Sequence, residues 1–389
     1  MRIFSGINEI SFNEVTKMSE DFIDLNKIFS KSDLSLKDYF INEKYEDLEP
    51  WIQWPTIYSG LSAFEHKKRF IGENSSNNKF TKKLLWNKNS DNWLVVSPIN
   101  IIESFNENVQ LIRDPWCSKE NISQPYSTIF KFIKNNEKLF SFKNLFRLLY
   151  LSPFLINALI FMLLDKDFYK LKLSPRILGA ILLDLALVKH SLNIAKKHKI
   201  KNLHFFLNGC AHVQHHYGIN KNTSNVIAFF LKKNLDLYKK NSSEIFLCTG
   251  LSQENVKTEI HYWKLNNFNL FNQEGVKLLT NRRMSKDLTA IYSKENLDLI
   301  NSFKIQGNKL FKVNVEDNKI FFETAYYKKE DADIFFNEKK IGKISEWFDY
   351  YAKKEGMHCN KGYVVAKKEY LNIDVIEDVH SSLEKFFST

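Results

Sequence analysis

Three of the chain's ten histidines fall within five residues, in Asn208-Gly209-Cys210-Ala211-His212-Val213-Gln214-His215-His216-Tyr217. Positions i and i+3 or i+4 share one face of a helix, so His212 with His215 or His216 can converge on a metal ion or a phosphate. The segment follows a short apolar run, Leu203 to Leu207, that ends at Asn208-Gly209. A second such run, Glu244 to Cys248, ends at Thr249-Gly250. In an open α/β sheet the ligand site lies in the loops beyond the carboxyl ends of the strands. A histidine cluster there points to chemistry more than to ordinary polar side chains at a helix start.

Three further places carry reactive residue types. Glu49-Pro50-Trp51-Ile52-Gln53-Trp54-Pro55-Thr56-Ile57-Tyr58-Ser59-Gly60-Leu61, continuing to Glu65-His66, reads as a rigid loop leading into a helix. A hydroxyl at a helix N-terminus can act as a nucleophile or hold a phosphate, which singles out Ser59 and Thr56. Plain N-capping with aromatic packing is the competing reading of that stretch. Gly6-Ile7-Asn8-Glu9 places a polar pair at the end of the first strand, and Gly356-Met357-His358 places a lone histidine before the last one.

The elements that must position these residues follow from apolar patterning. Ile3 to Ile7 reads as a short strand, and Trp93 to Ser97 as a compact apolar run ending at Pro98, the pattern of a buried parallel strand. From about Ser127 to Lys199 apolar residues recur every three or four positions, which predicts helices. Lys309 to Val315 and Lys319 to Thr324 flank Glu316-Asp317-Asn318 and read as a β-hairpin. The expected architecture is α/β, a mostly parallel central sheet flanked by helices, with a helical insertion and a small C-terminal β-hairpin subdomain. Residues 1–120 and 200–300 form the two halves of the core, 121–199 the insertion, 301–355 the subdomain, and 356–389 return to the core.

Taken in succession, these motifs resemble the alkaline phosphatase superfamily, in its nucleotide pyrophosphatase/phosphodiesterase and sulfatase-like branches. The resemblance is carried by Gly6-Ile7-Asn8-Glu9, Ser59 to His66, Ala211-His212-Val213-Gln214-His215, Cys248-Thr249-Gly250-Leu251-Ser252 and Gly356-Met357-His358, and it spans most of the chain. It implies a phosphoryl- or sulfuryl-transfer scaffold with two metal positions. His215 and His358 match ligands of one position, where Ala211 stands in place of an aspartate. The other position falls on Asn8, Pro50, Gly250 and Leu251, which lack the usual ligand atoms. The resemblance therefore implies one divalent ion, Zn or Mn, rather than two, with Glu9, His212 or His216 as replacement ligands beside His215 and His358. Thr56 or Ser59 would take over as nucleophile, and Asn8, Gln53, Ser252 and Gln253 would bind substrate.

Composition bounds the rest. The 389 residues, 44% hydrophobic and 26% charged, are those of an ordinary globular protein with one large domain or two. Thirty-three Phe beside abundant Lys and Asn point to an AT-rich genome more than to special chemistry. A net charge of +11 favours anionic partners, but the lysines are scattered and no specific nucleic-acid motif occurs. Cys117, Cys210, Cys248 and Cys359 are far apart and form no CxxC pair, which predicts free thiols and a cytoplasmic setting. The first residues read as a strand and not as a signal peptide. Leu148 to Leu164 is uncharged but contains Pro153 and Asn157. With Ile177 to Ala195 it predicts a helical hairpin that covers a site or touches the inner face of a membrane.

The expected function is that of a divergent hydrolase or transferase acting on a phosphate or sulfate ester, in surface-glycan or lipid-linked metabolism. Its partner would be an anionic small molecule or glycan. The alternative is a non-catalytic protein that keeps the fold to bind a ligand or partner. A sugar transferase rests only on Asp331-Ala332-Asp333, a pattern too common to carry weight.

Overall fold

The computed structural model describes residues 1–41, 48–68, 71–72, 78–88, 90–101, 106–114, 117, 153–242, 244–267, 271, 278–280, 288–316 and 318–388. Of the expected insertion, residues 121–152 lie outside the described residues. The chain groups into two units, Met1–Asn255 with Glu355–Thr389, and Val256–Lys354. The second unit thus starts well before the expected boundary at 301.

In the first unit the order is β1 (Arg2–Ile7), α1 (Phe12–Ser19), α2 (Leu25–Ser30), β2 (Ser35–Phe40), α3 (Pro50–Ser59), α4 (Ala63–His66), α5 (Asn78–Lys83), β3 (Trp93–Val96) and β4 (Val109–Ile112). Then come α6 (Pro153–Leu163), α7 (Pro175–Lys197), β5 (Asn202–Leu207), α8 (Gly209–Tyr217), α9 (Lys221–Asn241) and β6 (Glu244–Cys248). β7 (Ser252–Leu265) leads out of this unit.

The second unit holds, in chain order, β8 (Leu278–Thr280), β9 (Leu288–Ile291), α10 (Lys294–Asn301), β10 (Phe303–Ile305), β11 (Asn308–Lys309), β12 (Phe311–Glu316), β13 (Lys319–Thr324), β14 (Asp333–Phe336), β15 (Lys339–Lys343) and α11 (Ile344–Trp347). β16 (Phe348–Cys359) carries the chain back, and β17 (Lys361–Ala366) and α12 (Ile376–Ser388) close the first unit.

Among the described residues seven strands form the central sheet, in the order β2-β17-β6-β1-β5-β3-β4. β6, β1, β5, β3 and β4 run parallel, while β17 is antiparallel to both β6 and β2. Successive side chains of a strand point to opposite faces, and the sequence fills both with apolar groups. Ile3 and Ile7 of β1, Leu94 and Val96 of β3, and Leu203, Phe205 and Leu207 of β5 join one core with α1, α2, α6, α7, α8 and α9. Phe4, Trp93, Val95, Phe206 and Phe246 join the other, with α3 and α12. Near-continuous apolar runs therefore become strands covered on both sides.

α3 shows how local chemistry sets a site-bearing helix. All ten of its residues are buried, and Pro50 opens it where no intrahelical N–H is needed. Pro55 has no N–H to give to the carbonyl of Trp51 four residues back. Asn100 supplies that bond instead, its Nδ2 donating to Trp51 O at 2.8 Å. Gly60 ends the helix in the left-handed conformation, φ 68°.

The second unit is built from antiparallel sheets, β11-β10-β14-β15 and β12-β13-β9-β8, around a phenylalanine cluster that includes Phe271, Phe303, Phe311 and Phe322. The hairpin expected over Lys309 to Thr324 is β12–β13, paired from Phe311↔Thr324 to Glu316↔Lys319. α7 is long and apolar enough to cross a membrane by length and composition, and 61% of its apolar window is buried inside the fold. The described part of the apolar run 148–164 is the 11-residue helix α6. All four cysteines are free thiols.

Candidate metal site

The carboxyl end of β1 delivers Asn8 and Glu9 to the edge of the sheet. Glu9 sits at φ 62°, a left-handed conformation that costs a non-glycine residue on the order of 1 kcal/mol or more. It also makes an isolated parallel bridge to Ser252, at the start of β7. The sharp turn sends the Glu9 side chain inward, and the residue is only 3% exposed.

Two histidines meet it there. His215 comes from the last turn of α8, which begins directly after β5, and its Nε2 is 2.7 Å from Glu9 Oε2. His358 comes from the end of β16, and its Nε2 is 3.0 Å from the same oxygen. One donor atom from each of Glu9, His215 and His358 lies within 4.8 Å of the others. Two ligands of one ion stand about 3–4 Å apart when each bond is about 2 Å, so the three groups are placed to share an ion with small rotations. Two imidazoles and a carboxylate suit Zn or Mn.

Electrostatics agree with that donor set. Burial alone would raise the Glu9 pKa, but the His358 and His215 charges and hydrogen bonds outweigh it and hold the carboxyl well below the usual range. Gln253 Nε2 donates to Glu9 Oε2 at 2.5 Å, and Asn8 Nδ2 to Glu9 Oε1 at 2.7 Å. Gln253 Oε1 is buried with no hydrogen-bond partner, and it lies 2.5 Å from where a Cβ on Gly356 would sit. This acceptor, on the residue that also donates to Glu9, fits a site that takes a further polar group. On these grounds the residues present fit a single metal ion.

They do not fit a second one. Of the four positions expected for it, Gly250 and Leu251 carry no ligand atom, and the space beside Gly250 is filled by Trp54. A Cβ on Gly250 would come within 2.5 Å of the indole Nε1, and one on Gly6 within 2.6 Å of the same ring. Trp54 is fully buried and donates to Asn8 Oδ1 at 2.9 Å.

That bond orders a chain of others. An indole N–H can only donate, so Asn8 must present its oxygen to Trp54 and its NH2 to Glu9 and to Asn208 Oδ1, 2.9 Å away. Asn208 then turns its own NH2 toward His212 Nε2, at 3.4 Å. His212 Nε2 accepts, which leaves the hydrogen of the neutral ring on Nδ1.

The other expected site residues fall elsewhere. His212 and His216 do not join the triad; their rings stack on each other, centroids 6.5 Å apart, and His216 Nδ1 is 3.2 Å from Arg176 Nη1. Their positions on α8 lie about 60° and 100° around the helix axis from His215.

Thr56 and Ser59 do not reach the triad either, because the helix starts at Pro50 and not after Ser59. At 1.5 Å per residue they stand roughly 10 and 15 Å along α3 from Glu49. Lys68 N donates to His66 Nδ1, so His66 Nε2 carries the hydrogen and Thr56 Oγ1 accepts it at 3.1 Å. Ser59 Oγ donates to Pro55 O at 2.7 Å. Both hydroxyls are buried and engaged in holding α3.

Ser252 Oγ donates to Lys361 O at 2.8 Å, so it holds β17 and not a ligand. Gln53 is fully buried, one turn after Glu49, and its amide has no hydrogen-bond partner. Asn8 and Gln253 do border the triad, as partners of Glu9.

One site residue escaped the sequence reading. Glu49, at the N-cap of α3, places Oε2 3.6 Å from His358 Nδ1. A carboxylate beside the outer nitrogen of a ligating histidine fixes the ring's tautomer and orientation. The signal was available as an acid directly before Pro50 at a helix start, where acids are favoured.

No protein-family model and no curated protein matches the sequence. Solved structures do match in shape. Human ectonucleotide pyrophosphatase/phosphodiesterase 5 superposes with TM-score 0.51 at 8% identity, over 99% of this chain and 94% of that one. The chain has the alkaline-phosphatase-superfamily fold. Phosphonoacetate hydrolase from Sinorhizobium meliloti 1021, in complex with phosphonoformate, matches at TM-score 0.49 and 8% identity, over 98% of this chain and 94% of that one. In this chain the carboxylate beside His215 and His358 is Glu9, from the end of β1.

Proposed function

We propose that the protein is a single-metal hydrolase of phosphate esters or related anionic esters. The observation that carries this reading is the convergence of Glu9, His215 and His358 on one point at the carboxyl edge of the sheet. Glu9, His215 and His358 would hold the ion, which when bound supplies Lewis-acid polarisation of a phosphoryl oxygen.

The chain's own groups do the rest. Glu49 orients His358, and Asn8 and Gln253 fix the Glu9 carboxylate by donating to both of its oxygens. Among the described residues the partners of Glu9 are amides and imidazoles, without a hydroxyl among them. With Thr56 and Ser59 engaged inside α3, water is the attacking group and no covalent enzyme ester forms. A sulfate ester presents the same charged, tetrahedral oxygens, so sulfate esters belong to the same substrate class.

The setting we propose is the cytoplasm, at the inner face of a membrane, in surface-glycan or lipid-linked metabolism. Four free thiols and the apolar helices α6 and α7 support it. Fractionation without detergent tests it; a protein found only free in the cytosol rules out the membrane part.

The test of the central reading is zinc and manganese titration of the purified protein, followed by a panel of phosphodiester, phosphomonoester, phosphonate and sulfate ester substrates. One equivalent of metal should bind. Glu9→Gln, His215→Ala and His358→Ala should each weaken binding by more than the roughly 10–100-fold typical of an outer-shell partner. The reading fails if no metal binds, or if every ester stays intact. Metal binding without turnover would instead support the second reading, a metal-dependent ligand-binding protein, which the absence of a hydroxyl partner at Glu9 favours.

A further inference from the structure

Only one of the three clustered histidines faces Glu9; the other two, on α8, form a separate group with an arginine of α7. Arg176 stands in the first turn of α7, exposed, with Nη1 3.2 Å from His216 Nδ1. A guanidinium only donates, so His216 Nδ1 accepts and its hydrogen sits on Nε2. Arg176 has no carboxylate within ion-pair distance among the described residues; its recorded side-chain bond is to an imidazole. With His216 Nδ1 accepting from Arg176 and His212 Nε2 accepting from Asn208, the group offers one uncompensated positive charge and two imidazoles with fixed hydrogens, His216 on Nε2 and His212 on Nδ1.

Such a set favours an oxyanion over a cation. A guanidinium with no acidic partner repels metal, and it binds carboxylate or phosphate oxygens through charge-assisted hydrogen bonds. His212 links the group to the triad, since it stacks on His216 and receives its tautomer from the Asn8–Asn208 chain.

We propose that Arg176 and His216 hold a second anionic group of the substrate, a carboxylate or a phosphate separate from the group at Glu9, His215 and His358. The substrate is then at least a bis-anion. This rests on the single-metal reading for the position of the reacting end.

The test is calorimetric binding to the zinc-loaded protein of methylphosphonate, phosphonoacetate, 3-phosphonopropionate and methylenediphosphonate. The bis-anion of matching length should bind about tenfold more tightly than methylphosphonate, equivalent to about 1.4 kcal/mol. Arg176→Gln should abolish that gain and leave methylphosphonate binding within about twofold, while Arg176→Lys should keep part of it. Comparing one probe between wild type and variant cancels its chelation of zinc in solution. The carboxylate and diphosphonate arms show which anion the subsite prefers. The proposal is overturned if no bis-anion gains over methylphosphonate, or if the gain survives in Arg176→Gln. If methylphosphonate fails to bind while a bis-anion binds in an Arg176-dependent way, the subsite stands and the phosphoryl-centre reading falls.

Discussion

A strained glutamate is held at the end of β1 by four partners, and this is where single residues matter most. Glu9 keeps φ 62° while both of its oxygens are engaged, so the backbone strain is matched by side-chain bonds. Asp184, on α7, is the second buried acid of the site's surroundings. It accepts from Gly209 N at 2.6 Å and so caps α8, whose N-cap residue Asn208 makes no side-chain cap bond. Burial raises its pKa from 3.8 to about 7 against the pull of the Gly209 and Asn208 N–H groups. The folded protein thus keeps a proton that the unfolded chain releases between pH 4 and 7. Stability from this group is present below about pH 4 and lost as pH rises through 7. Asp184→Asn keeps an acceptor and removes the titration. Its unfolding free energy relative to wild type should climb from pH 5 to 7 in chemical denaturation, with a slope no steeper than about 1.4 kcal/mol per pH unit. A constant difference across that range would show that Asp184 does not titrate there.

Elements place the site more than any one side chain does, and two close approaches carry that placement. α8 leans on α7 at Gly209, where an added Cβ would come 2.7 Å from Ala180 O and 2.8 Å from Asp184 Oδ2. Gly209→Ala should push α8 away, costing about 1–3 kcal/mol and weakening zinc binding through His215. Unchanged zinc affinity in a destabilised Gly209→Ala protein would mean that His215 does not depend on this contact. α3 approaches the sheet at Gly250 through Trp54, and Gly250→Ala should cost a similar 1–3 kcal/mol in chemical denaturation.

These elements also show what could be read in advance. The strands were legible because both faces of the sheet are apolar, Glu9 and His358 because they sit at strand ends, and His215 because its cluster opens directly after β5. The start of α3 was not. Pro50 and Pro55 suggested a loop, but Pro50 suits a helix's first turn and Asn100 repairs the gap at Pro55 from 45 positions away in sequence. That misplacement is why Thr56 and Ser59 looked like nucleophiles and Glu49 was passed over. His212 and His216 share the helical spacing of His215, and spacing alone does not tell which side of a face meets a partner from another element.

At the scale of the whole molecule, the second unit is an insertion. Asn255 and Glu355, the residues on either side of it, both border Gly218: Asn255 Oδ1 lies 3.1 Å and Glu355 Cβ 3.5 Å from where its Cβ would be. The chain leaves and re-enters the first unit at one place. Replacing Val256–Lys354 by a short Gly-Ser linker should leave a protein that unfolds cooperatively and binds zinc with the wild-type affinity. Aggregation of that protein, or loss of zinc binding, would show that the first unit needs the second to fold.

The indole between Gly6 and Gly250 has a historical meaning as well as a structural one. A mutation that placed an aspartate at position 250 would strike the ring, and one that first trimmed Trp54 would leave a hole in the core and strand the Asn8 oxygen without its donor. Each single step toward a two-metal centre is disfavoured while the other is missing. Trp54 therefore acts as a ratchet that holds this chain away from a second ion beside Gly250.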